Sequence, residues 1–70
     1  MSWNHRVVSS NVESIGWDSD SEEIIVYWNS GKVSAYSGGN EGLAEAAANA
    51  ASVGSFVNSE IKPSLSHRYI

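Results

Sequence analysis

The chain has 70 residues, eight acidic and four basic side chains, a formal net charge of −4 and no cysteine. A chain of this length forms one domain at most, and such small cores usually need a disulfide, a metal or oligomerisation for stability. Cysteine is absent, and the two histidines near the ends do not form a zinc-ligand cluster. The totals therefore predict one domain over residues 1–70 that self-associates or docks on a larger protein assembly.

The basic residues are scattered along the sequence, at Arg6, Lys32, Lys62 and Arg68. Nucleic-acid-binding proteins neutralise phosphates with clustered Lys and Arg, so nucleic acid is not an expected partner. No apolar run is long enough to span a membrane, and the N-terminus lacks the apolar core of a signal peptide. We therefore expect a cytoplasmic protein whose partner is a protein or a small molecule.

The first half of the chain predicts an antiparallel meander. Its β-branched and aromatic segments favour strands, and the polar segments 18–21 and 29–31 are typical of turns. The three predicted strands span residues 7–17 with a bend at Ser9 to Asn11, Glu23 to Trp28, and Lys32 to Tyr36.

The second half predicts helices and then an extended tail. Residues 41–53 are rich in alanine, the best helix former, with Asn40 as N-cap and Gly54 as the residue that ends the helix. A short second helix follows, and Pro63 stops it. The fold class is therefore α+β. The predicted apolar stripe of the first helix consists of Leu43, Ala46, Ala47, Ala50 and Val53.

The second strand is apolar on both faces, with Ile24, Val26 and Trp28 on one and Ile25 and Tyr27 on the other. One helical layer covers one face. The other face either exposes an apolar patch to a partner or lies under the terminal arms, and the pattern leaves both alternatives open. The candidate partner-binding residues are Ile25, Tyr27, Trp3, Tyr36 and Tyr69.

No catalytic or metal-binding pattern is recognisable. The acidic turn near Asp18 lacks the Gly and the distant Glu of an EF-hand loop. The segment Gly38-Gly39-Asn40 lacks the Lys of a phosphate-binding loop, and no serine has a recognisable general base. We therefore expect a protein that is not an enzyme and that needs no cofactor.

Two blocks of the sequence resemble the KTSC domain family. Residues 8–18, VSSNVESIGWD, are similar to the family's S-S-N-hydrophobic-x-S-hydrophobic-G-aromatic-D opening. Residues 51–62, ASVGSFVNSEIK, are similar to its S-x-G-x-aromatic-hydrophobic-N-x-x-I block. With Tyr36 at the end of a strand, the resemblance extends from Val8 to Tyr69. It implies a compact domain with a core of about residues 8–62.

The resemblance implies no established general activity. The family is named for a domain at the C-terminus of some lysyl-tRNA synthetases, and it includes free-standing short proteins of bacteria and bacteriophages, which this chain resembles. The basic residues common in the family's second block and tail are largely replaced here by Val53, Ser55, Ser59, Ser64 and Ser66. These departures argue against tRNA binding.

The family-motif residues have a structural and a ligand-binding interpretation. In the structural one, Gly16 lets a neighbouring strand approach, Ser9 bends the backbone, and Asn58 hydrogen-bonds the first motif. In the other, they contact a ligand. The residues concerned are Ser9, Ser10, Asn11, Gly16, Trp17, Phe56 and Asn58.

The leading hypothesis from the sequence is a non-enzymatic interaction module, encoded by a phage, that acts as a homo-oligomer or as an accessory subunit of an assembly such as a virion. The alternative is a small-ligand binder, such as a phage protein that sequesters a nucleotide signal. In that case Asn11 and Asn58 would hydrogen-bond the polar atoms of the ligand. RNA binding is the third hypothesis, and the net negative charge disfavours it.

Overall fold

The computed structural model describes residues 2–70 and confirms an α+β fold. Within that range, one antiparallel sheet of five strands packs against two helices, whereas the sequence predicted three strands. The spatial order of the strands follows the chain: β1 (Trp3–Arg6), β2 (Val12–Asp18), β3 (Glu23–Trp28), β4 (Val33–Ser37) and β5 (Ser66–Tyr69). Between β4 and β5 lie α1 (Glu41–Ala48) and α2 (Val53–Phe56), and α2 continues as a π-helical turn (Val57–Ile61).

The two strands that the sequence did not predict are the terminal arms. Strand β1 pairs with β2, with Trp3 opposite Trp17, and β5 pairs with β4, with Tyr69 opposite Ser34. Both strands are four residues long, and their side chains are mostly exposed. Their sequences therefore lack the alternation of apolar and polar residues that predicts a strand. Backbone pairing with stronger neighbours places them in the sheet. The arms therefore widen the sheet instead of folding over its open face.

Helix α1 begins where the sequence predicted. Asn40 is the N-cap, and its Oδ1 accepts a hydrogen bond from the Leu43 N–H at 2.8 Å. The helix ends at Ala48 rather than near Val53, with Asn49 as its C-cap. The Glu45 carbonyl accepts both the Asn49 N–H, at 3.1 Å, and the Asn49 side chain, at 2.9 Å, and Asn is unfavourable in helix interiors.

The early end of α1 changes two details of the prediction. Ala44 and Ala47 are its buried residues, whereas Ala46 of the predicted stripe is exposed. Gly54 lies inside α2 and does not end α1. No helix within residues 2–70 has the length and apolar character needed to cross a membrane.

The core occupies one face of the sheet, which we call the inner face. Buried residues of β2, β3 and β4 meet α1, α2 and the π-helical turn there. Ile24 and Val26 of β3 are fully buried on this face, as are Val57 and Ile61 of the π-helical turn. The prediction that Ile24 and Val26 share one face of β3 is therefore correct, and that face is the inner one.

The opposite, outer face has no helix against it and is closed by small side chains. Gly16, Ile25 and Ala35 lie in one register row across β2, β3 and β4, and Arg68 of β5 ends that row. Ile25 is only 7% exposed, and Tyr27 is half-buried. The outer face therefore does not present the broad apolar patch that the sequence allowed.

Gly16 permits β1 to approach β2. A Cβ atom at Gly16 would lie 3.0 Å from the Trp3 carbonyl oxygen, closer than nine in ten Cβ contacts, so the backbone of β1 would have to shift by a few tenths of an ångström. Gly16→Ala should therefore lower the free energy of unfolding by about 1–3 kcal/mol, as overpacking usually does, measured by urea denaturation. Gly54→Ala is the matched control, because its Cβ would make only ordinary contacts, 3.7 Å or longer. Equal stability of the Gly16→Ala variant and the wild type would contradict this role.

Candidate ligand-binding site

A cleft of about 610 Å³ opens on the inner face, between the sheet and the π-helical turn. Its sheet wall comprises Trp28, Lys32, Ser34, Tyr36, His67 and Tyr69. Its helix wall comprises Ser10, Asn11, Asn58 and Lys62. His67 and Tyr69 of β5 are exposed although their register partners face the core, so the helical layer stops short of β5. The uncovered inner face of β5 forms one side of the cleft.

Aromatic rings line the sheet wall in a continuous row. The ring centroids of Tyr36 and His67 are 4.9 Å apart, and those of His67 and Tyr69 are 4.6 Å apart. Lys32 Nζ lies 5.4 Å from the centre of the Tyr69 ring, at cation–π distance. The row runs from a buried ring at Tyr36 to a ring at Tyr69 that is 64% exposed.

Ser34 joins this row to Trp28. The Trp28 indole donates to Ser34 Oγ at 2.7 Å, and His67 Nε2 lies 2.8 Å from the same hydroxyl. Burial raises the pKa of the Tyr36 phenol, which stays neutral in the ordinary pH range. The sheet wall is therefore held in place by hydrogen bonds, and its Tyr36 ring is neutral.

The helix wall is built from both family blocks. In the first block, Ser9 Oγ accepts from the Asn11 and Val12 N–H groups at 3.3 Å, which produces the predicted bend. The side chain of Asn29 ties down the bend by donating to the Ser9 and Ser10 carbonyls. Ser10 and Asn11 then face the cleft.

In the second block, Asn58 and Lys62 face the cleft, while Val57 and Ile61 face the core. Within residues 2–70, no hydrogen bond joins Asn58 to the first block, so the expected tie through Asn58 is wrong. The two blocks meet instead at Gly54, where a Cβ would lie 3.7 Å from Ser9 Oγ.

The charges of the cleft differ from those of the whole chain. Both lysines, Lys32 and Lys62, line it together with His67, and no carboxylate is part of its lining. All eight carboxylates lie elsewhere on a chain whose formal net charge is −4. This segregation gives the cleft a formal charge opposite in sign to that of the whole chain. Within residues 2–70, no group of three or more side chains is arranged to hold a metal ion.

An ion pair on the outer face fixes the position of β5. Arg68 donates from Nε and from a terminal nitrogen to the two oxygens of Glu23, at 3.0 and 2.8 Å. Glu23 is only 6% exposed, and Arg68 holds the pKa of this carboxyl below its ordinary value of 4.5. The pair connects β5 to β3 across β4 and thereby supports the side of the cleft that β5 forms.

Five of the residues singled out in the sequence come together at the cleft: Tyr36, Tyr69, Ser10, Asn11 and Asn58. The remaining ones lie elsewhere. Trp3 packs against the core and donates to Glu41 of α1 at 2.8 Å. Trp17 and Phe56 contribute to the core, and Ile25 and Tyr27 belong to the outer face.

Sequence reasoning missed both lysines of the cleft, Lys32 and Lys62, and also His67, Trp28 and Ser34. Lys32 and Lys62 are 30 positions apart and were interpreted only as scattered charges. One signal was available. Lys62 lies four positions after Asn58, which places both on one side of a helical segment.

The fold and the cleft define a small α+β domain with a ligand-sized opening between its sheet and its second helix. The KTSC domain family model matches residues 8–65, so this chain belongs to the KTSC domain family, as the resemblance indicated. The structure is similar to the crystal structure of a KTSC domain protein from Yersinia pestis, with a TM-score of 0.87 and 27% sequence identity. That match covers 100% of this chain and 99% of the other. No curated protein matches the sequence.

The Glu23–Arg68 pair predicts a pH dependence of stability. Because the pKa of Glu23 is lowered in the folded state, its contribution is fully present above 4.5 and is lost as the pH falls through the lowered pKa. Glu23→Gln should therefore be less stable than wild type at pH 7, and the difference should shrink in acid below pH 4.5. Urea denaturation between pH 2.5 and 7 measures this. Glu13→Gln is the control, because it removes an exposed carboxylate, and its free energy of unfolding should follow that of the wild type at each pH. A stability difference between Glu23→Gln and the wild type that does not change with pH would contradict the linkage.

Proposed function

We propose that this protein is a non-enzymatic binding domain whose cleft takes a small anionic ligand. This is the alternative hypothesis of the sequence analysis, and the charge segregation at the cleft is the observation that carries it. Lys32, Lys62 and His67 surround an opening without carboxylates on a chain of formal net charge −4. The cytoplasm offers abundant phosphorylated metabolites of this kind.

The dimensions of the cleft also support a small ligand. Small-molecule sites are usually concave spaces of about 300–1,000 Å³ with aromatic lining and a few convergent polar groups. This cleft, of about 610 Å³, has an aromatic sheet wall and the amides of Asn11 and Asn58 on its helix wall. Charge-assisted hydrogen bonds from lysine to an anion are stronger than neutral ones, so the two lysines should contribute most to affinity.

Lys62→Ala tests the proposal. Wild-type protein should bind at least one member of a panel of small anions (pyrophosphate, ribose 5-phosphate and mononucleotides) in isothermal titration calorimetry. Removing the Lys62 ammonium should weaken that binding roughly tenfold. A tenfold loss of affinity corresponds to about 1.4 kcal/mol of binding free energy. Arg6→Ala is the matched control, because it removes the same charge from an exposed residue of β1 outside the cleft.

Two results would contradict an anion site in the cleft. The first is that wild-type protein binds no member of the panel. The second is that Arg6→Ala weakens binding as much as Lys62→Ala, since the effect would then come from net charge and not from the cleft.

A protein-assembly function is the second candidate, and the edge of β5 favours it. Strand β5 pairs with only β4 in the described sheet. Tyr69 and Ile70 beside it are 64% and 58% exposed, among the most exposed large apolar side chains of residues 2–70. An edge strand offers backbone donors and acceptors to another strand. A second copy, or a subunit of a virion if the chain is phage-encoded, could extend the sheet there.

Light scattering with an edge variant tests assembly. If β5 edges pair, wild-type protein should form a homodimer, and Ile70→Asp should convert it to a monomer by placing a charge at the contact. Val8→Asp is the control, because Val8 is fully exposed and lies outside both edge strands. A wild-type protein that stays monomeric at millimolar concentration would remove self-assembly through β5.

A further inference from the structure

The cleft combines two features that an anion site alone does not need, namely a row of aromatic rings and the exposed amides of Asn11 and Asn58. Resting on the proposed anion site, we infer that its ligand is a free nucleotide, a mononucleotide or a dinucleotide. The base stacks on the aromatic row, and the lysines hold the phosphate. A simple inorganic anion or a sugar phosphate would use only the lysines.

The aromatic row suits a base in position and in chemistry. His67 and Tyr69 lie on the inner face, and both side chains are exposed. Their ring centroids are 4.6 Å apart and the rings meet edge to face at 86°, so a base stacks on the face of one ring at a time. The row is anchored at its middle ring, because Ser34 Oγ lies 2.8 Å from His67 Nε2 and also accepts a hydrogen bond from the Trp28 indole. Bases stack on such side chains without regard to sequence, since every base has a π face.

Asn11 and Asn58 complement the edge of a base. Each amide carries two donor hydrogens and an acceptor oxygen, the groups that hydrogen-bond base edges. Both side chains line the cleft opposite the aromatic row, and within residues 2–70 neither takes part in a side-chain hydrogen bond. Asn58 is separated from Lys62 by one helical turn, so one element presents an amide and an ammonium together.

The charge of the cleft limits the ligand to few phosphates. Lys32 and Lys62 supply two formal positive charges, which match one phosphate monoester of about −2. The remaining cations, Arg6 and Arg68, lie in outer-face register rows, and Arg68 is already paired with Glu23. A polynucleotide would extend past the cleft over an acidic surface, so a free nucleotide fits better than RNA.

Tyr69→Leu separates the base from the phosphate. Wild-type protein should bind at least one of AMP, GMP, CMP and UMP about tenfold more tightly than ribose 5-phosphate, which has the same phosphate and sugar but no base. Tyr69→Leu should remove most of this tenfold preference, since stacking contributes about that much per base. Its affinity for ribose 5-phosphate should fall much less than its affinity for the nucleotide, because both lysines remain to hold the phosphate. Calorimetry at fixed salt measures both ligands, and circular dichroism checks the fold.

Tyr27→Leu is the matched control, because Tyr27 lies on the outer face away from the cleft. Equal wild-type affinity for nucleotides and ribose 5-phosphate would overturn the nucleotide inference and leave the anion site intact. A Tyr69→Leu variant that keeps the preference would also overturn the inference. Binding of neither ligand would remove the anion site itself. Tighter binding to a single-stranded RNA oligonucleotide than to any mononucleotide would overturn the inference in favour of nucleic acid.

Discussion

The structure depends on a difference in width between its two layers. The sheet has five strands, but the buried core residues that meet the helices come from only the three central ones. A chain of 70 residues has too little apolar material to cover more. The two edge strands therefore differ in their contacts with the helices. Trp3 of β1 reaches α1 through its hydrogen bond to Glu41, whereas β5 has no helix above it and borders the cleft.

The same shortage explains the outer face. Among residues 2–70 no second helical layer covers it, so burial there comes from small residues and from lateral neighbours. Gly16 and Ala35 flank Ile25 in register, and the Glu23–Arg68 pair lies beside them. An ion pair with one exposed partner adds little stability, but its two parallel hydrogen bonds are directional. Its consequence for the cleft is that β5 keeps a fixed position although all four of its side chains are exposed.

The strongest local signals in the sequence were sufficient for the centre of the fold. Strand β3 and the Asn40 cap are where the sequence predicted them, because β-branched residues and side-chain capping act within a few positions. Strands β1 and β5 could not be predicted in this way, since Asn4, His5 and Arg68 favour no strand and pair only because β2 and β4 already exist. The end of α1 also escaped prediction, because the capping by Asn49 outweighs the helix propensity of the alanines that follow.

The cleft was harder to predict than the fold, because its residues come from five separate segments of the chain. Lys32 follows a turn, Lys62 ends a helical segment, and Tyr69 lies in an edge strand, so each belongs to a different element of the fold. The net charge of the chain does not indicate the cleft, because it sums the basic residues of the cleft with the acidic residues of other surfaces.

The family blocks show the same division on a smaller scale. Trp17 and Gly16 build the sheet, while Ser10 and Asn11 of the same block line the cleft. In the second block, residues that face the core alternate with residues that face the cleft along one helical segment. Val57 faces the core, and Asn58 faces the cleft. A single block thus holds the fold and shapes the site, so variants at its buried positions report on stability and those at its cleft positions report on binding.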